Sequence, residues 1–210
     1  MEDGFTTKED LLRTLETETQ VFKDILVKEA FSKIDRKDFI GSDYEIEAYE
    51  DYSVPIGFDH MSIKPTVIAF SLELLHIKKG EHVLNIFSSS GFVTALVADM
   101  VGKTGSVLSL ETIPELAVKS KEYISKYKLP QAEIKFFDKS LGFNEEKVFD
   151  KIIIYANLKD KPNLFLERLK IGGIMVVAIQ GVLYRITKKE KGVEEEKILE
   201  GFMFPDLDLN

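Results

Sequence analysis

Residues 82–91 read HVLNIFSSSG, and this stretch decides the fold. Its first six residues form a mostly apolar run that predicts a buried strand, and Gly91–Met100 follows with the pattern of a helix. Further strands are predicted at Ser106–Leu110, Glu133–Phe137, Lys151–Tyr155 and Ile174–Ile179, with a helix over Pro114–Tyr127. Strands that alternate with helices indicate an α/β protein with a parallel sheet covered on both faces.

The two ends of the chain complete the predicted layout. Thr6 or Thr7 caps a first helix whose apolar stripe extends from Leu11 to Leu26, and Pro65–His76 forms a second helix. The C-terminal part is predicted to contain a short helix and the two strands of an antiparallel hairpin, at Asn163–Lys170, Val182–Lys188 and Lys197–Phe204. The charged segment 188–196 would join the hairpin strands.

Composition excludes several classes of protein. A chain of 210 residues and 23.9 kDa predicts one compact domain. The sequence has no cysteine, which excludes disulfides, thiolate metal sites and iron–sulfur clusters, and its three histidines are too dispersed to predict a metal site. A net charge of −8 argues against a general nucleic-acid binder. With no apolar span and no signal-peptide pattern, we expect a soluble intracellular protein.

The candidate site lies where the predicted strands end, because doubly wound sheets bind ligands beyond the carboxyl ends of their strands. Glu111 ends the second strand, about 20 residues past the first loop, where an acid can bind a ribose diol. Many such folds also end a strand with a surface acid. In the loop Phe87–Gly91 only Gly91 is a glycine. The loop is therefore either a polar ligand loop or a helix start capped by Ser89 or Ser90.

A series of short motifs extends from Val27 over nearly all of the remaining chain. They are Val27–Phe31, Ile34–Phe39, Ala48–Asp51, Val54–Gly57, Pro65, Glu73–Leu75, Val83–Phe92, Phe149–Ile153 and Leu169–Gly173. In their order and spacing they resemble the protein-L-isoaspartate O-methyltransferases. Enzymes of that family use S-adenosylmethionine to methylate the α-carboxylate of isoaspartyl residues in damaged proteins.

The resemblance implies a Rossmann-like class I methyltransferase fold, with a mostly parallel seven-stranded sheet and a C-terminal antiparallel hairpin. It implies a single domain over residues 1–210, in which residues 1–64 form an N-terminal helical, substrate-side segment and residues 65–210 the Rossmann-like core. It also implies S-adenosylmethionine as cofactor and isoaspartyl-containing proteins or peptides as partners. A cytoplasmic protein-repair enzyme is therefore expected, and a homo-oligomer is possible.

The resemblance assigns cofactor binding to eight residues, which are Asn85, Phe87, Ser88, Ser89, Gly91, Glu111, Asp138 and Lys139. Glu111 matches the ribose acid, and Asp138 would contact the adenine amino group. The family has an acid at position 85 and glycines at 87 and 89. Asn85 lacks the negative charge for the cofactor's ammonium group, and Phe87 brings a ring to the place where the methionine portion approaches. If position 87 needs a positive φ, a residue other than glycine adds about 1–2 kcal/mol of strain.

On the acceptor side, the family's hydroxyl residue falls on Ile63, with Ser62 one place away. We assign the catalytic role to Ser62 and to His60, which can donate a hydrogen bond to a carboxylate. Neighbouring side chains of a regular strand point to opposite faces, so Ser62 replaces the lost hydroxyl only if the backbone is irregular. Two other functions stay open. Phe87 and Ile63 favour a non-catalytic binding or assembly module, and methylation of RNA is the less expected third possibility.

Overall fold

The computed structural model describes residues 6–87, 89–138, 140, 143, 146–201 and 204–207. Its strands are β1 (Pro55–Gly57), β2 (His60–Met61), β3 (His82–Ile86), β4 (Ser106–Glu111), β5 (Ala132–Phe136), β6 (Phe149–Leu158), β7 (Leu169–Ile179), β8 (Val182–Lys188), β9 (Val193–Glu200) and β10 (Asp206–Leu207). Its α-helices are α1 (Lys8–Thr17), α2 (Ile25–Lys33), α3 (Pro65–Leu75), α4 (Phe92–Val101), α5 (Pro114–Ser125) and α6 (Asn163–Leu166), and two 3₁₀ helices cover Arg36–Phe39 and Ser42–Glu47.

The central sheet confirms the predicted α/β class. Seven strands follow one another in the order β5-β4-β3-β6-β7-β8-β9. The first five of these are parallel, and β8 and β9 are antiparallel additions at one edge. Because β4 lies on one side of β3 and β6 on the other, the strand order reverses at β3. This switch point is where a doubly wound sheet binds its ligand.

Alternating side chains bury both faces of the sheet. From β3, Val83 packs into a core with helices α1 to α4, whereas Leu84 and Ile86 pack into a second core that includes Phe165 of α6. This double burial explains why the strands read as nearly continuous apolar runs. We call the first surface the α4 face. Asn85 lies on it, because it alternates with Leu84 and Ile86.

Several element boundaries differ from the sequence prediction. The single N-terminal helix is in fact two helices, because Asp24 accepts a hydrogen bond from Leu26 N and caps a new start. The helix predicted over Asn163–Lys170 ends at Leu166, and β7 begins at Leu169.

No helix of the described residues is long and apolar enough to cross a membrane.

The terminal hairpin has a shorter turn than predicted. Its second strand begins at Val193, so the charged segment is largely strand. Ion pairs across the hairpin, such as Arg185–Glu196 at 3.5 Å and Lys189–Glu194 at 2.6 Å, explain how so charged a sequence forms an edge strand.

Two small elements that the sequence did not predict flank the carboxyl edge of the sheet. Strands β1 and β2 form a hairpin whose turn, Phe58-Asp59, has positive φ at both residues. Strand β10 pairs in parallel with Asn157 and Leu158 at the end of β6, and so adds an eighth strand to the sheet. Since β7 occupies the other edge of β6, β10 lies on the β3 side, beyond the end of β3.

The turn before β4 allows a test of this packing. A Cβ added to Gly105 would lie 2.5 Å from the Glu81 carbonyl oxygen and 2.6 Å from Val101 Cβ. We expect Gly105→Ala to lower the free energy of unfolding by about 1–3 kcal/mol, measured by urea denaturation. Gly41→Ala is the matched control, because nothing lies within 4 Å of its added Cβ. Equal stability of the two variants would contradict the close approach.

Candidate functional site

A cavity of about 960 Å³ opens at the carboxyl edge of the sheet, around the switch point. The β1–β2 hairpin forms one wall, and Leu199, Gly201 and residues 204–207 contribute to another. Of the residues predicted for the site, the cavity brings together His60, Ser62, Phe87, Ser89 and Glu111. One cavity therefore joins the end of β4, the loop after β3 and the predicted acceptor segment.

The other predicted residues are not part of the cavity lining. These are Asn85, Gly91 and Asp138. Asp138 is exposed, and its carboxylate accepts hydrogen bonds from the amide and the hydroxyl of Ser140, which lowers its pKa. Ser88 and Lys139 lie outside the described residues.

Glu111 is a buried carboxylate, only 2% exposed, at the tip of β4. Its Oε2 accepts from Ser89 N at 2.8 Å, and its Oε1 accepts from Thr112 N at 2.8 Å and Ile113 N at 3.1 Å. Burial raises the pKa of Glu111, and the three amide donors and the charge of His60 oppose this shift. Since a carboxylate can accept about four hydrogen bonds, one position remains on Oε2 for a ligand hydroxyl.

The loop after β3 has the backbone of a glycine-rich turn, but only one of its three positive-φ positions is a glycine. Phe87, Ser89 and Gly91 have φ values of 67°, 55° and 90°. Residues other than glycine lose about 1–2 kcal/mol each in this left-handed region. Position 87 therefore has the positive φ at which the sequence analysis predicts backbone strain for a residue other than glycine. The Phe87 side chain is half-buried, packs against both cores and lines the cavity.

Gly91 is retained for a steric reason. A Cβ there would lie 3.0 Å from Ser120 Cβ and 3.2 Å from the Ser120 carbonyl oxygen, because α4 begins against α5. Gly91 is also the N-cap of α4, without a side-chain capping bond. The alternative in which Ser89 or Ser90 caps this helix is therefore wrong.

Asn85 belongs to a buried, uncharged cluster beneath the loop. Its Nδ2 donates to Ser109 Oγ at 3.2 Å and to Thr94 Oγ1 at 3.5 Å, and the two hydroxyls are 2.8 Å apart. Among the residues that the structure describes, its Oδ1 has no partner. Asn85 is fully buried, so this cluster supplies no negative charge to the cavity.

Ser62 is held by a buried guanidinium that the sequence analysis did not single out. Arg36 donates from Nη2 to Ser62 Oγ and to the Tyr52 carbonyl, and from Nη1 to the carbonyls of Ala48 and Glu50. Burial lowers the pKa of Arg36 to about 10. Arg36 falls within a quoted motif, but a sequence motif cannot reveal which carbonyls a side chain will reach.

The hydroxyl of Ser62 is placed to act as a donor. Its oxygen accepts from Arg36 and also from Val54 N at 2.9 Å, which occupies both lone pairs. Its own proton has no acceptor among the described residues. Ser62 and the neighbouring Ile63 both line the cavity, so an irregular backbone after β2 brings two adjacent side chains to it. His60, in β2, is exposed at the cavity wall.

A switch point between β3 and β6, a cavity above it and an acid at the end of β4 are the features with which a doubly wound sheet binds a nucleoside. Together with the solved structures that superpose on this chain, they assign it the class I S-adenosylmethionine-dependent methyltransferase fold. A solved protein-L-isoaspartate O-methyltransferase superposes over 96% of this chain and 66% of its own, with a TM-score of 0.86 and 22% identity. The sequence profile of the protein-L-isoaspartate(D-aspartate) O-methyltransferase family matches residues 6–208. The chain belongs to that family.

Individual relatives agree with this assignment. The protein-L-isoaspartate O-methyltransferase of Ignicoccus hospitalis is 34% identical over 197 residues, which cover 91% of this chain and 93% of that protein. Protein-L-isoaspartate O-methyltransferase 1 of Archaeoglobus fulgidus is 39% identical over 153 residues, which cover 73% and 71%. A putative member from Plasmodium falciparum, solved with S-adenosyl-L-homocysteine, is 26% identical and covers 97% and 98%, with a TM-score of 0.82.

The raised pKa of Glu111 predicts a pH dependence of stability. Between the ordinary glutamate pKa of 4.5 and the raised value, the folded state binds more protons than the unfolded state. The contribution of Glu111 to the free energy of unfolding therefore falls as pH rises through that window. We expect the stability difference between wild type and Glu111→Gln, from urea denaturation, to decrease from about pH 4 upward and then level off. A difference that increases with pH would contradict a raised pKa.

Proposed function

We propose that this chain is an S-adenosylmethionine-dependent methyltransferase that methylates the carboxylate of isoaspartyl residues in damaged proteins. The observation that carries the proposal is the shared cavity, in which the buried carboxylate of Glu111 and the acceptor-side residues His60 and Ser62 line one space. A transferase needs its donor and acceptor within reach of each other, and family membership supplies the substrate class.

The residues fit the ribose of the cofactor. Glu111 would hold it through the acceptor position left on Oε2, whereas Asp138 lies outside the cavity lining and is assigned to the adenine by the family resemblance alone. Bidentate binding of both ribose hydroxyls would displace the Ser89 amide, so the loop and the nucleoside compete for the same oxygen. The loop residues Phe87 to Gly91 would adjoin the methionine portion.

The residues of this chain would promote the reaction mainly by positioning the acceptor carboxylate against the cofactor. The bound cofactor supplies an activated methyl group on its sulfonium. An acceptor carboxylate is ionised at neutral pH, so no residue has to remove a proton from it. Ser62 and His60 would orient it by hydrogen bonds, and the surrounding wall would exclude water. Arg36 would act through Ser62, because its hydrogen bond fixes the Ser62 oxygen and leaves the hydroxyl proton for the acceptor carboxylate.

Calorimetry with S-adenosylmethionine, followed by transfer of a radiolabelled methyl group, tests the proposal. We expect micromolar binding and labelling of an isoaspartyl peptide, but not of the same peptide with normal aspartate or of tRNA. No binding at millimolar cofactor would overturn the proposal in favour of the non-catalytic module that Phe87 and Ile63 suggest. Labelling of tRNA alone would redirect it to RNA.

The ring of Phe87 should limit cofactor affinity. Phe87→Gly removes the ring from the cavity wall and suits the positive φ, so we expect the affinity for S-adenosylmethionine to rise about tenfold, or 1.4 kcal/mol. Phe87→Leu is the matched control, since it shortens the side chain but keeps the backbone strain. Circular dichroism would verify that each variant folds. Unchanged or weaker binding by a folded Phe87→Gly would show that the ring does not obstruct the ligand.

A further inference from the structure

The proposed cofactor carries an ammonium group, and the loop after β3 offers it no anion. Asn85 is neutral, fully buried and absent from the cavity wall. The cavity nevertheless contains carboxylates from other elements, which are Asp59, Glu111 and Asp206. Glu111 is engaged by three backbone amides, and Asp59 lies in the β1–β2 turn on the acceptor side. Asp206 is the carboxylate that remains to be explained.

Sheet register places Asp206 at the end of β3. Ile86 is paired with Ile154 of β6, which is paired with Val177 of β7. Asp206 is paired with Asn157, which is paired with Ala178. Ala178 directly follows Val177, because β6 has an irregularity between residues 154 and 157. Counted along β7, Asp206 therefore lies one residue further toward the carboxyl edge of the sheet than Ile86. We call a step of one residue along the strands a residue level.

Asp206 also lies on the same face of the sheet as Asn85. Leu207 packs into the core opposite the α4 face, so its neighbour Asp206 points to the α4 face. Asn85 is one level below Ile86 and Asp206 one level above it. Two residue levels of a strand correspond to roughly 7 Å. The backbone position of Asp206 is thus two residue levels beyond position 85, where the family has its acid.

The side chain of Asp206 is fixed rather than free. Asn157 Nδ2 donates to Asp206 Oδ1 at 2.7 Å, and Asn157 N donates to the Pro205 carbonyl at 2.9 Å. Asn157 Oδ1 in turn accepts from Gly181 N at 2.8 Å. The Phe204 ring packs edge-on against Tyr155, with centroids 5.6 Å apart. Within the described part of the chain, no hydrogen bond to Asp206 Oδ2 is found, which leaves that oxygen available to a ligand.

We propose that Asp206 is the carboxylate that binds the ammonium group of the cofactor's amino-acid portion, in the role that the acid at position 85 has elsewhere in the family. Asn157 is the positioning residue that holds it. The inference rests on the proposed function, because it concerns the same cofactor. The C-terminal segment then completes the cofactor site and does not merely cover it.

Two nucleosides distinguish binding of the ligand's amino-acid portion from binding of its adenosine portion. S-adenosylhomocysteine carries the ammonium group, whereas 5′-methylthioadenosine has the same adenosine and thioether without the amino-acid portion. By calorimetry, we expect Asp206→Asn to weaken S-adenosylhomocysteine binding at least tenfold and to leave 5′-methylthioadenosine binding unchanged. Asp59→Asn is the matched control and should change neither. Glu111→Gln should weaken both, because it acts on the ribose.

The other outcomes of these binding measurements would contradict the proposed role of Asp206. Equal weakening of both nucleosides by Asp206→Asn would show that Asp206 only supports the wall, and unchanged S-adenosylhomocysteine binding would show that it does not contact the ligand. Either result overturns the role of Asp206 while the proposed function stands. If wild type binds neither nucleoside, the proposed function fails, and the role of Asp206 fails with it. The asparagine can still accept from Asn157 Nδ2, so loss of β10 is not built into the substitution.

Discussion

The hydrogen bond from the Ser89 amide to Glu111 is the contact on which the site depends. It ties the loop after β3 to the end of β4, and it requires the loop to turn through positive φ at residues 87, 89 and 91. A glycine adopts such angles freely, whereas Phe87 and Ser89 do so against a steric penalty. The hydrogen bond opposes the strain at these two residues, because without it the buried carboxylate would lose an amide donor, and an undersatisfied buried charge is itself costly.

The parallel core was predictable because its signal is local. Each strand is buried on both faces, so its residues read as an apolar run whatever its neighbours are. The elements that the sequence did not predict lack such a signal. The turn Phe58-Asp59 contains no glycine that would indicate a tight turn in the sequence. Strand β10 is two residues long and is stabilised by contacts with Asn157, some fifty positions away. The hydrophobic periodicity of the sequence does not predict short elements that depend on distant partners.

The candidate site was predictable to a different degree on its two sides. Glu111 follows from spacing, since the end of the second strand must lie beside the first loop in a doubly wound sheet. The acceptor side does not, because its geometry is set by Arg36, which gathers carbonyls from residues 48–52 and the hydroxyl of Ser62 around one buried charge. Only the folded chain reveals that a cation from the first 3₁₀ helix organises a segment more than ten residues later.

Electrostatics explains why an acid can leave position 85 and a carboxylate serve at position 206. A carboxylate at position 85 would be fully buried among Thr94 and Ser109, where desolvation disfavours its charged form. Asparagine satisfies the same hydroxyls without that cost. Asp206 is exposed at the cavity rim, where water and one hydrogen bond from Asn157 solvate its carboxylate. Moving the charge from the buried cluster to the rim preserves an anion near a cationic ligand while the core beneath the loop becomes neutral.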